Sequence, residues 1–84
     1  MYKLKCKLRE WGYKASHPEY WILSHSSGWE LWIKIGSKTK HLDRVRDWFV
    51  RPAEEGMEVR NADFLYDLIS EIKTHVEILN KMED

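Results

Sequence analysis

Four histidines are the residues best suited to acid–base or metal chemistry, and they fall at positions 17, 25, 41 and 75. None is paired with another at metal-ligand spacing. His17-Pro18-Glu19 places an imidazole and a carboxylate two residues apart, the raw material of an acid–base site and equally of an ordinary polar loop. His25 lies within Ser24-His25-Ser26-Ser27-Gly28, where hydroxyls flank a base, but turns produce that composition without any catalytic purpose. A small enzyme is therefore the third reading, with His17, Glu19 and His25 meeting at a dimer interface. His41 stands beside Trp48 on a helix expected there, and His75 falls inside the apolar arc of another, where it needs a hydrogen-bond partner or a wet boundary.

Cys6 is the only cysteine, which excludes an internal disulfide and any cysteine-based zinc site within one chain, and points to a reducing compartment. The four glycines at 12, 28, 36 and 56 are isolated, so no phosphate-binding loop is present. No cofactor or metal is expected. No apolar run approaches the roughly 18 residues of a membrane span, and the octet Met1 to Leu8 lacks the continuous apolar stretch of a signal peptide, so the expectation is a cytoplasmic protein with no membrane contact.

Eighty-four residues, five Trp, four Tyr and 43% apolar residues describe one folded domain with a small core. The net charge of zero hides a division. Residues 1–52 carry eleven Lys and Arg against five Asp and Glu, a surplus of six positive charges, and residues 53–84 carry three against nine, a surplus of six negative. Such a dipole can steer a partner or align two copies.

From Tyr2 to Arg9 apolar and basic residues alternate strictly, which predicts a strand with Tyr2, Leu4, Cys6 and Leu8 on one side. Gly12, Ser16 and Pro18 make Trp11 to Glu19 a loop. Tyr20 to Ser24 and Trp29 to Ile35, joined by His25 to Gly28, read as a hairpin whose second arm sends Trp29, Leu31, Ile33 and Ile35 to the core and Glu30, Trp32 and Lys34 outward. Leu42, Val45, Trp48 and Phe49 then recur at helical spacing, with Ser37 or Thr39 as N-cap and Pro52 as terminator. Pro52 to Gly56 is a turn, and Met57 to Arg60 is short enough to be an edge strand. Asn61 caps a helix running to about Met82, in which Phe64, Leu65, Leu68, Ile69, Ile72, Val76, Leu79 and Met82 fall within an arc of about 140°.

These elements predict a small two-layer α+β domain in the order βββα(β)α. Its N-terminal three-stranded antiparallel sheet, four-stranded if Met57 to Arg60 joins, is covered on one face by two helices. Twenty-two helical residues would span about 33 Å against about 23 Å for a seven-residue strand, so the helix should overhang the sheet.

The strand reading brings Lys3, Lys5, Lys7 and Arg9 onto the uncovered face beside Trp32 and Lys34. Cations beside a ring suit a protein partner or single-stranded nucleic acid, while lysines on an edge strand also guard against aggregation. A second surface is the C-terminal helix. The overhang, and Ile78 off the main arc, make Ile72, His75, Ile78, Leu79 and Met82 a seam for a second copy. No motif is specific enough to name a family. The leading expectation is a non-enzymatic interaction module, an accessory or regulatory protein that binds and thereby inhibits another macromolecule, protein before nucleic acid, with Trp11, Tyr13, Trp21 and Trp32 as candidate anchors. A nucleic-acid-binding protein using the basic sheet face is the alternative.

Overall fold

The computed structural model describes residues 2–37, 43–54 and 62–82; the edge strand expected at Met57 to Arg60, the cap Asn61 and His41 lie outside the described residues. The chain runs through helix α1 (Tyr2–Trp11), strands β1 (Trp21–Ser24), β2 (Trp29–Ser37) and β3 (Asp43–Pro52), a 3-10 turn (Ala62–Phe64) and helix α2 (Leu65–Lys81). The strands form one antiparallel sheet in the order β1-β2-β3. Among the described residues, three antiparallel strands and two α-helices give the α+β class that the sequence predicts. Both helices serve one sheet face: Leu4 and Leu8 from α1 and Leu68, Ile72 and Leu79 from α2 share a core with Trp21, Trp29, Leu31, Ile33 and the loop residue Tyr13.

Two elements differ from the sequence reading. The first is Tyr2 to Arg9, a helix where alternation predicts a strand. Seven of its ten residues are Leu, Lys, Arg or Glu, beside Tyr2, Cys6 and Trp11, and none is β-branched, which favours helix. Leu4, Leu8 and Trp11 also stand at i, i+4 and i+7. That spacing makes one helical face, and it is the face used: Leu4 and Leu8 are wholly buried and Trp11 packs against the core.

Helix α1 ends in a Schellman motif. The Tyr13 N–H donates to Leu8 O at 2.9 Å and the Gly12 N–H to Arg9 O at 3.0 Å, with Gly12 at φ +104°. The turn delivers Tyr13 into the core against Leu8. A Cβ on Gly12 would lie 3.1 Å from Leu23 Cδ1, in a backbone conformation that disfavours any side chain. Gly12→Ala should therefore cost about 1–2 kcal/mol, lowering the thermal midpoint by roughly 4–15 °C in a calorimetric scan. An unchanged midpoint would show that the turn relaxes freely.

The second difference is β3, where helical spacing predicts a helix. Lys34 pairs with Asp47 but Ile35 with Val45, so Arg46 has no partner across the ladder and forms a β-bulge. The extra residue separates the core-side residues Val45 and Trp48 by three positions instead of two, which imitates a helical period. Beyond the bulge strict alternation returns, with Trp48 opposite Ile33 and Val50 opposite Leu31. Val, Trp and Phe side chains suit a pleated, half-covered surface better than a helix. Near the start of β3 the Val45 N–H donates to Asn80 Oδ1 of α2 at 2.9 Å, fixing that end of the edge strand to the helix.

The hairpin follows expectation: the His25 N–H donates to Trp29 O, the Gly28 N–H to His25 O, and Gly28 takes φ +93°. In α2 the arc is correct except at Phe64, which is 47% exposed, and Ile69, which is half-buried outside the core cluster. The overhang is not there. Seventeen α-helical residues span about 26 Å, while the nine- and ten-residue strands β2 and β3 span about 30 Å. Among the described residues, no helix is long and apolar enough to cross a membrane.

Candidate functional site

Because α1 and α2 occupy the face bearing Leu31 and Ile33, the alternate residues of each strand turn to the other side. The register sets Ile22, Trp32 and Phe49 in one row across the three strands, with Ser24, Glu30 and Arg51 in the next row and Lys34 beside Asp47. The loop before β1 adds His17 and Tyr20. Four rings meet there: Trp32 stacks on Phe49 at 5.2 Å between centroids and 22° between planes. Tyr20 stands edge-on to Trp32 at 5.5 Å and to Phe49 at 5.4 Å, and His17 edge-on to Tyr20 at 5.4 Å and Trp32 at 5.2 Å. These offset and T-shaped arrangements are the favoured ones for aromatic pairs. All four rings remain partly exposed.

The polar atoms of this face are paired with one another. The Tyr20 hydroxyl donates to Asp47 Oδ2 at 2.7 Å, and that bond raises its pKa. The Trp32 indole N–H donates to Glu30 Oε1 at 3.1 Å, and Lys34 Nζ to Glu19 Oε2 at 2.8 Å. The Lys34–Glu19 bond holds the carboxyl below, and the ammonium above, its usual range. Arg51 spreads over the Trp32 ring at 5.3 Å with its Nε 3.7 Å from Glu30. Lys34 also lies 5.9 Å from the Tyr20 ring. The result is an aromatic surface rimmed by balanced charge.

Of the residues expected on this face, Trp32 and Lys34 are there. Lys3, Lys5, Lys7 and Arg9 are not: they belong to α1, so the basic stripe beside Trp32 does not form. Lys7 pairs with Glu10 at 3.4 Å and lies over the Trp11 ring, Arg9 lies over Trp21, and Lys5 borders a shallow hollow of about 260 Å³ with His17, Tyr20 and Ile35. Trp21 and Tyr13 are core residues, and Trp11 stacks on His75 at 4.1 Å. Only Trp32 of the four candidate anchors stands on the open face.

The seam expected on α2 is largely internal. Ile72 and Leu79 are 0% exposed in the chain's own core, Met82 packs against it, and His75 Nδ1 shares a hydrogen bond of 2.8 Å with the Tyr13 hydroxyl. Ile78, 39% exposed, is the one member facing solvent.

His17, Glu19 and His25 do not share a site within the chain. His17 Nδ1 accepts from the Glu19 backbone N–H at 3.0 Å on the aromatic face. His25 instead contacts Ser27 Oγ at 2.8 Å and approaches Glu71 of α2 at 4.0 Å. Among the described residues no three His, Cys, Asp or Glu side chains are grouped to hold a metal ion.

Sequence reasoning missed Tyr20, Phe49, Asp47 and Arg51. The signal for Phe49 was its place in Trp48-Phe49-Val50, a run of strand-favouring residues which as a strand must pair with β2 and set Phe49 beside Trp32. Compared with protein-family models, with curated proteins and with solved structures, the chain matches none.

Proposed function

We propose that this chain is a small non-enzymatic interaction module, an accessory or regulatory protein that docks on another protein through the open sheet face and masks the surface it covers, as an inhibitor does. The observation that carries the reading is the cluster of His17, Tyr20, Trp32 and Phe49 on a face that neither helix covers. Trp, Tyr and Arg dominate the energetics of protein interfaces, most strongly where a rim of weaker contacts excludes water. Here Trp32 and Tyr20 lie beside Arg51, and Lys34–Glu19 and Arg51–Glu30 form the rim.

The charge balance favours a protein over a nucleic acid. Lys34 and Arg51 pair with Glu19 and Glu30, and Lys14, set on the same face by its bridge to Ile22, is offset by Asp47, whereas a phosphate chain is held by an uncompensated surplus of cations. The lone Cys6 fits a reducing compartment, and we place the module in the cytoplasm.

The test is affinity capture from nuclease-treated extract of the native host, comparing the wild type with Trp32→Ala and Phe49→Ala. A protein retained by the wild type and lost by both variants is the expected result. A partner released by nuclease would replace this reading with nucleic-acid binding, and one retained equally by all three forms would move the docking site off this face.

A further inference from the structure

The sheet ends in two edge strands, β1 and β3, and the outward N–H and C=O groups of an edge are a template for another strand. The template on β3 is a hazardous one. Trp48-Phe49-Val50 is a run of strand-favouring residues within a ten-residue strand, the composition through which chains add to one another edge to edge. A second copy laid antiparallel along β3 would join the two sheets into one.

The register shows which groups of β3 turn outward. The Ala53 N–H donates to Gly28 O at 2.9 Å, which makes Trp29 and Pro52 a non-hydrogen-bonded pair. Alternation back along the strand gives Leu31–Val50 and Ile33–Trp48 the same character, so Pro52, Val50 and Trp48 direct their backbone nitrogens away from β2. Pro52 has no N–H to offer. The Trp48 N–H donates to Asp47 Oδ1 at 2.9 Å, and the Tyr20 hydroxyl steadies that carboxylate by donating to Oδ2 at 2.7 Å. On the far side of the bulge the Val45 N–H is taken by Asn80 Oδ1 of α2 at 2.9 Å. The bulge itself sets Val45 and Trp48 three positions apart, where a regular strand repeats its outward groups every second residue, so a straight strand cannot match both.

The other edge is filled by the chain's own loop. The Ile22 N–H donates to Lys14 O, and Ile22 O accepts from the Lys14 N–H, both at 2.9 Å. The bridge is isolated, and the N–H of the preceding residue, Tyr13, is committed to Leu8 O, so the loop occupies the middle of β1 without offering a strand of its own.

We propose that these contacts close the sheet to strand addition at both edges, with Asp47 and Asn80 as the side chains that guard β3. Because Asn80 belongs to the last turns of α2, the Val45 closure exists only once α2 has docked. A partner on the open face, as read above, then meets side chains and not strand backbone. The closure itself does not rest on that reading, since it is measured on the isolated chain.

Sedimentation and amide hydrogen exchange of the full chain test it with two double variants. Asp47→Ala with Asn80→Ala removes both acceptor oxygens; Asp47→Asn with Asn80→Asp keeps an oxygen at each position. In dilute solution the Val45 and Trp48 amides of the first variant should exchange roughly fivefold faster than in the wild type, the factor that one typical hydrogen bond is worth. Between micromolar and millimolar concentration the first variant should associate, with the amides of Val45, Trp48 and Val50 gaining protection, while in the wild type and the second variant those amides do not change. A first variant that stays monomeric throughout, association that protects amides elsewhere than in β3, or equal protection of β3 in all three forms would overturn the proposal. Should the first variant not fold, couplings across the hydrogen bonds decide in the wild type. Magnetisation passing from the Val45 amide to the Asn80 side-chain carbonyl, and from the Trp48 amide to the Asp47 carboxylate, supports the closure, and its absence rejects it.

Discussion

Ile72→Ala lowers the free energy of unfolding by about 2–5 kcal/mol, as expected of a wholly buried position on α2. Ile72 is 0% exposed at the middle of the helix, one turn from Leu68 and two from Leu79, which are buried in the same core. A domain of 84 residues has in total roughly 4–13 kcal/mol of stability, so the variant is expected to be partly unfolded at 37 °C. In urea its midpoint should fall with the slope unchanged, because the surface exposed on unfolding is nearly the same. Ile78→Ala, at a position 39% exposed, should cost under about 1 kcal/mol. The pair also separates an internal core from a seam between copies. In a core, the Ile72→Ala midpoint is independent of protein concentration; in a seam, it rises with concentration.

How much of this fold the sequence reveals depends on whether each period has one explanation. In α2 it has one, since Leu65, Leu68, Ile72, Val76 and Leu79 fit a helix and nothing else, and the structure buries or half-buries all five. In Tyr2 to Arg9 it has two. Alternation and the i, i+4, i+7 set Leu4, Leu8 and Trp11 coexist in the same residues, and the deciding evidence lies downstream, in Gly12 and Tyr13 as the end of a Schellman motif. In β3 the period misleads, because a bulge at Arg46 adds a residue that only the pairing with β2 exposes. A strand exchanged for a helix at one end of the chain and a helix for a strand further on leave the class intact, which is why α+β survives two errors.

The candidate site suffers more from those exchanges than the class does, since a face is defined by which residues alternate on it. Trp32 and Lys34 were legible because β2 was read in the correct phase. Phe49 was not, because a helix would have sent it to the core with Trp48, whereas a strand sends neighbouring residues to opposite faces. Tyr20 and His17 join the cluster from a loop, and no periodicity predicts a loop residue's neighbours. The charge division is only partly visible in the helices: α1 sets Lys3, Lys5, Lys7 and Arg9 against Glu10, whereas α2 sets Asp67, Glu71 and Glu77 against Lys73 and Lys81 and is nearly balanced.

Trp32→Ala should weaken binding of the captured partner by at least about 2 kcal/mol, roughly thirtyfold in affinity, while leaving the domain folded. Its ring is the centre of the open face, in contact with Phe49, Tyr20, His17 and Arg51, so truncation removes the ring that joins this cluster and leaves Arg51 without the ring beneath it. The cost to stability is bounded by what the ring contributes within the chain. An aromatic pair is worth about 0.5–1.5 kcal/mol and an exposed cation–π contact about 0.5–1 kcal/mol, well under the loss expected at Ile72. Lys34→Ala, which breaks a rim ion pair with Glu19, should change affinity by less than about 1 kcal/mol. Salt sharpens the distinction further. An aromatic-anchored contact should lose less than about tenfold in affinity between 50 and 200 mM salt, against about 10³–10⁵ for a protein holding six to ten phosphates. Isothermal titration of the wild type, Trp32→Ala and Lys34→Ala at both salt concentrations therefore separates the two modes of recognition. A steep salt dependence with little effect of Trp32→Ala would transfer the binding site to the cations of α1.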